Sequence, residues 1–129
     1  CRTIRINQVG RINSMDLSSE AIRPDVANTA PLTRREITEL LTEVRGWSLK
    51  DGRLTSRFGF KGFPEALAFL NRVAEFAARE NHFPDLSIQE GRYVEVAWYT
   101  YAIGGLSRND FIMAARLSER LRNRRGGIV

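Results

Sequence analysis

The sequence predicts an α+β fold: a four-stranded antiparallel sheet with three helices on one face, in the order α-β-β-α-β-β-α. Three observations predict it. Three stretches carry apolar residues at helical spacing, each next to a recognisable start or stop. Asp51-Gly52 and Glu90-Gly91 join short apolar or aromatic runs as tight turns do. With 129 residues and 43% hydrophobic content, the chain suffices for one domain with a real core.

The elements follow in order. Thr33-Arg34-Arg35-Glu36 is a capping box, and Ile37, Leu40, Leu41 and Val44 continue at helical spacing until Gly46. Trp47 to Leu49 and Leu54 to Phe60 flank Asp51-Gly52 as two strands, with Trp47, Leu49, Phe58 and Phe60 expected on one apolar face. Pro64 suits a first helical turn, and Ala66, Leu67, Leu70, Val73, Ala74 and Ala77 form a stripe along a helix running to Glu80. Leu86 to Gln89 and Tyr93 to Tyr101 make the second strand pair, broken by Gly104-Gly105. Ser107-Arg108-Asn109-Asp110 then caps a last helix facing the core with Phe111, Ile112, Ala115, Leu117 and Leu121.

Around this domain, expected over 32–122, residues 1–31 read as a flexible arm and 123–129 as a basic tail. Met15 reads as a plausible bacterial start, so residues 1–14 are expected to be upstream-derived or an added prefix. The net charge of +5 belongs to the ends. Arg2, Arg5 and Arg11 lie in the first fourteen residues, and Arg116, Arg120, Arg122, Arg124 and Arg125 face only Glu119 in the last fourteen. Between them the balance is slightly acidic, so a nucleic-acid partner is not expected. A lone Cys1 excludes an intrachain disulfide and a multi-cysteine metal site, and fits a reducing cytoplasm. No apolar run of the length a membrane span needs is present, and no signal peptide is read.

His82 is the only histidine and stands where the long helix gives way to a loop, in Asn81-His82-Phe83-Pro84. A group titrating near neutrality there suits general acid–base work. The plainer reading is a helix-end histidine bonded to a loop carbonyl. A metal role lacks further ligands, and no glycine-rich phosphate loop or nucleophilic triad is present. Trp98, Tyr99 and Tyr101 suit either a planar ligand or cross-strand packing.

From about Thr33 to Leu121 the chain resembles the pterin-4a-carbinolamine dehydratases. The resemblance rests on Gly46-Trp47, the stretch from Phe58 to Ala77, Asn81-His82-Phe83-Pro84, and the stretch from Gly105 to Arg116. It implies the same fold, a homodimer or tetramer, and no metal or organic cofactor. It also implies a pterin site in which a histidine pair, a polar group four residues earlier and a third histidine move the proton as water leaves carbon 4a. Carried over, the first histidine is His82, expected to persist as a catalytic remnant. The other three positions fall on Ala78, Phe83 and Tyr101, with Glu80 displaced by two. Pro84, Asp85 and Trp98 are expected to line the pocket. Phe83 carries no proton, and a tyrosine with an ordinary pKa of about 10 is a poor base at neutral pH. The resemblance is therefore to a degenerate-site member working through protein contacts. The branch it looks like is the RuBisCO assembly factors linked to α-carboxysomes, which implies the RuBisCO large subunit as client and a cytoplasmic, carboxysome-associated setting. The alternative it implies is a dehydratase acting on 4a-hydroxytetrahydropterin through His82.

Overall fold

The expected capping box forms: the Thr33 hydroxyl accepts from the Glu36 amide at 3.1 Å, and Glu36 Oε1 accepts from the Thr33 amide at 2.8 Å. It starts helix α1 (Arg34–Leu41), whose Ile37, Leu40 and Leu41 pack on the edge of the core. The computed structural model describes residues 17–123, with side chains through Leu121. The expected prefix (1–14) and nearly all of the basic tail (123–129) lie outside the described residues.

Strands β1 (Ser48–Lys50) and β2 (Arg53–Gly59) turn through Asp51 and Gly52 at φ 54° and 78°. Strands β3 (Asp85–Gln89) and β4 (Tyr93–Trp98) turn through Glu90 and Gly91 at φ 54° and 69°. Positive φ at both central positions twists each turn with its strands, which is why an Asp-Gly or Glu-Gly pair serves there. The sheet order is β1-β2-β4-β3, antiparallel throughout, with Leu54 opposite Trp98 and Phe58 opposite Val94.

Helix α2 (Phe63–Glu80) buries Ala66, Phe69, Val73, Phe76 and Ala77. Helix α3 (Arg108–Asn123) buries Phe111, Ile112, Met113, Ala114, Ala115 and Leu117. Both pack in one core with Leu54, Phe60, Val94, Val96 and Trp98 of the sheet. The opposite sheet face is polar and closed by charge pairs, with Lys50 on Glu95 at 2.7 Å and the Arg57 guanidinium 4.2 Å from the Tyr93 ring centre.

Three expectations are corrected. Leu49 is 43% exposed, because the three-residue β1 is an edge strand beyond the reach of the helices. Strand β4 stops at Trp98 instead of Tyr101; the chain then closes a small loop in which Thr100 and Gly105 pair around a 3₁₀ turn at Tyr101–Ile103.

The third correction concerns the arm, which is docked from Leu17 onward. Leu17 is buried against the core, and residues 17–24 lie along α3 as a strap. Asn109 holds the backbone of Arg23 at both ends, accepting from its N–H at 2.9 Å and donating to its carbonyl at 3.0 Å. Arg108 forms a two-pronged pair with Glu20 at 2.7 Å each, and Arg116 donates to the carbonyls of Ser18 and Glu20. No periodicity announces such a segment, since its backbone is held by side chains of another element instead of by its own ladder.

Candidate functional site

Helix α2 ends where expected and determines the direction of the chain that follows. Asn81 adopts the left-handed conformation at φ 56°, and the His82 amide reaches back to the Ala77 carbonyl at 3.3 Å while the Asn81 amide bonds Ala78. This Schellman arrangement turns the backbone sharply, and asparagine tolerates the positive φ it requires. His82 is thereby folded inward and is only 9% exposed.

Its ring stacks on Trp98, with centroids 5.9 Å apart and planes inclined by 13°. Its Nε2 lies 2.7 Å from Asp110 Oδ1. Asp110 is fully buried at the third position of α3. Its Oδ2 accepts from the Ser107 amide at 2.9 Å and from the Thr100 hydroxyl at 2.8 Å, and the Thr100 and Ser107 hydroxyls are 2.7 Å apart. With the carboxylate occupied as an acceptor on its other oxygen, the donor in the histidine pair is the ring Nε2–H. In the neutral ring that leaves Nδ1 as an acceptor, and it has no hydrogen-bond partner among the described residues.

The other expected positions lie elsewhere. Phe83 is 59% exposed and Tyr101 60% exposed, so two aromatic side chains stand at the surface where proton-handling groups were implied. The Tyr101 hydroxyl donates to Asp85 Oδ2 at 2.5 Å and accepts from Arg53 at 3.1 Å, and the Arg53 guanidinium also lies 4.5 Å from the centre of Tyr99. Tyr101, Asp85, Arg53 and Tyr99 are thus one surface cluster, and this contact raises the Arg53 pKa, first through the Tyr101 bond. Ala78 is exposed and Pro84 half-buried. Glu80 is spent on Arg116 at 2.9 Å. Trp98 is enclosed and backs the histidine, its indole N–H buried without a partner among the described residues.

A cavity of about 540 Å³ opens at His82, lined also by Ala21, Ile22, Arg23, Pro24 and Val26 of the arm, by Arg79, Glu80 and Asn81, and by Asn109 and Arg116. Pro84, Asp85 and Trp98 are not among the residues that line it. Among the described residues no three His, Cys, Asp or Glu side chains converge to hold a metal. None of the described helices is long and apolar enough to cross a membrane.

The structure brings His82 and Trp98 together and adds Asp110, Thr100 and Ser107. In the sequence Asp110 reads only as a helix-capping residue. The Ser-x-x-Asp spacing was the available clue that a carboxylate is held at that helix start, but nothing local tells that it meets a histidine 28 residues away.

Comparison with known proteins gives a consistent picture. A family described as pterin 4 alpha carbinolamine dehydratase matches residues 30–120. Proteins provisionally named pterin-4-alpha-carbinolamine dehydratases are similar along most of their length. The one from Cupriavidus pinatubonensis is 42% identical over 108 residues, 82% of this chain and 92% of its own. That from Chlorobium luteolum is 46% identical over 93 residues, 69% of this chain and 81% of its own. Among solved structures, a Brucella melitensis protein described as a transcriptional coactivator/pterin dehydratase superposes with a TM-score of 0.60 at 31% identity, covering 69% of this chain and 96% of that one.

Proposed function

Since the chain belongs to the pterin-4a-carbinolamine dehydratase family, we propose that it is a member whose dehydratase site has lost its proton-handling groups and that it works through contacts with other proteins. The observation that carries this reading is the pair of exposed aromatic side chains, Phe83 and Tyr101, at the positions where the second and third histidines are implied. Each missing acid–base group costs on the order of 10²–10⁴ in rate, so two losses leave little above background. The phenol of Tyr101 is moreover already committed to Asp85.

The client we propose is the RuBisCO large subunit, in its cytoplasmic and carboxysome-associated pool. This assignment rests on the resemblance of the degenerate motif to that assembly-factor branch. The protein is proposed to act as a homodimer or tetramer, an idea supported by Phe63 and Leu67, which are 53% and 40% exposed along the outer side of α2. Sedimentation of the purified chain as a monomer at micromolar concentration would remove that part.

Two assays test the whole. Turnover of 4a-hydroxytetrahydropterin is expected at background for the natural chain and to rise when Phe83→His and Tyr101→His are combined. Assembly of RuBisCO large subunits is expected to improve in its presence. Absence of binding and of any effect on assembly overturns the client.

A second reading keeps the enzyme, and one observation favours it: His82 retains a buried carboxylate partner in Asp110. Turnover well above background that disappears in His82→Ala would establish this reading over the first.

A further inference from the structure

The cavity at His82 has a charge and a set of free polar atoms that neither reading uses. Three arginines are among its lining residues, Arg23, Arg79 and Arg116, against one acidic residue, Glu80. Glu80 is paired with Arg116. Arg23 and Arg79 make no ion pair and no side-chain hydrogen bond among the described residues. Two cations held in no ion pair among the described residues therefore border the cavity, and the unpartnered Nδ1 of His82 belongs to a lining side chain that is nine-tenths buried.

Half of the wall is supplied by residues 21–26, which lie outside the family-matched stretch of 30–120. Their position follows from the clasp of Asn109 on the Arg23 backbone, which sets that residue among the walls of the same cavity as His82. The cavity's lining excludes Phe83, Tyr101, Pro84 and Asp85, so it is not the space bordered by the implied pterin-site positions. Another large cavity among the described residues, about 510 Å³, has the opposite sign, with Glu20, Glu36, Glu39 and Glu43 around Arg108.

We propose that the cavity beneath the strap binds a small oxyanion that also carries a hydroxyl group, of the class of hydroxylated phosphate esters or hydroxy acids. The planar forks of Arg23 and Arg79 suit two-pronged contact with a phosphate or carboxylate. In the neutral ring, Nδ1 is the acceptor left by the Nε2–Asp110 bond and calls for a donor on the ligand, which a hydroxyl beside the anion supplies. Asn81 adds a further polar side chain at the rim.

The test titrates the full chain at low ionic strength with glycerol 3-phosphate, malate, inorganic phosphate and, as a hydroxyl-free ester, methyl phosphate. Calorimetry supplies affinity, and ¹⁵N NMR follows the two ring nitrogens of His82. Glycerol 3-phosphate or malate is expected to bind with a dissociation constant of about 1 mM or tighter, to move the Nδ1 resonance, and to outbind phosphate and methyl phosphate. Whichever of the two hydroxylated probes binds better decides between ester and acid. Arg23→Gln with Arg79→Gln is expected to weaken binding by about tenfold or more. Both residues are exposed, so the fold is expected to survive, and an unchanged melting curve checks it. Arg57→Gln, on the far side of the sheet, is expected to leave binding unaltered. Absence of binding by every probe overturns the proposal, as does equal binding by the Arg23/Arg79 variant or an Nδ1 resonance that does not respond.

Discussion

Asp110→Ala is expected to be among the most damaging single substitutions in this chain. The carboxylate has no exposed surface and takes hydrogen bonds from the His82 ring, the Thr100 hydroxyl and the Ser107 amide at 2.7, 2.8 and 2.9 Å. Alanine leaves all three donors buried and unanswered, at about 1–3 kcal/mol each before relaxation. Relaxation of the corner recovers part of this, so a loss of about 3–5 kcal/mol is expected, comparable to removing one partner of a buried pair. Since small domains hold only about 5–15 kcal/mol in all, the variant should sit near the edge of folding. Asp110→Asn keeps one acceptor oxygen and is expected to lose about half as much. Urea unfolding measures this as a fall in midpoint at unchanged slope. A double-mutant cycle of Asp110→Asn with His82→Gln isolates the pair, with a coupling of about 1 kcal/mol or more expected. If Asp110→Ala loses less than about 1 kcal/mol, the network is not what holds the corner and this account of the site fails.

Other expectations follow from the same geometry. The Arg108 hydrogen bond holds the Glu20 carboxyl below its ordinary value of 4.5, so its stabilisation is complete above that value and is lost as pH falls through the lowered folded value. Glu20→Gln should therefore cost up to about 1 kcal/mol at neutral pH, given the partial exposure of the pair, and progressively less in acid, as read from melting at stepped pH. A Cβ on Gly105 would stand 2.8 Å from Pro31 Cβ, so Gly105→Ala is expected to cost about 1–3 kcal/mol and to speed protease cleavage within residues 17–31. Trp98→Phe removes a buried N–H that has no partner among the described residues. It should cost less than the roughly 3–5 kcal/mol of truncation to alanine, with near-ultraviolet dichroism retained.

Much of the architecture was readable because its determinants are local. Both hairpins are written in two adjacent residues each, and Thr33 and Glu36 announce α1 within one helical turn. The end of α2 at Asn81 was likewise marked by a residue that tolerates positive φ. What stayed hidden depends on contacts between distant positions. Asp110 looks like a cap from its neighbours and becomes a histidine partner only when α3 packs on β4. The docking of residues 17–24 rests on Asn109, Arg108 and Arg116, whose roles are invisible in the arm's own polar, aperiodic composition. The early end of β4 has the same origin, since the Thr100–Gly105 pairing competes with continued strand.

The strap also carries a consequence for biosynthesis. Ser18 bonds Glu119 across 101 residues of sequence, and Arg116 reaches back nearly as far. At a translation rate of about 5–20 residues per second, the segment waits several seconds for its clasp to leave the ribosome. During that interval Leu17 has no core to enter and the groove along α3 does not yet exist. Closure of the strap therefore awaits synthesis of α3: a polypeptide truncated before Arg108 leaves residues 17–24 unclasped, distinguishable by proteases from one that carries that helix.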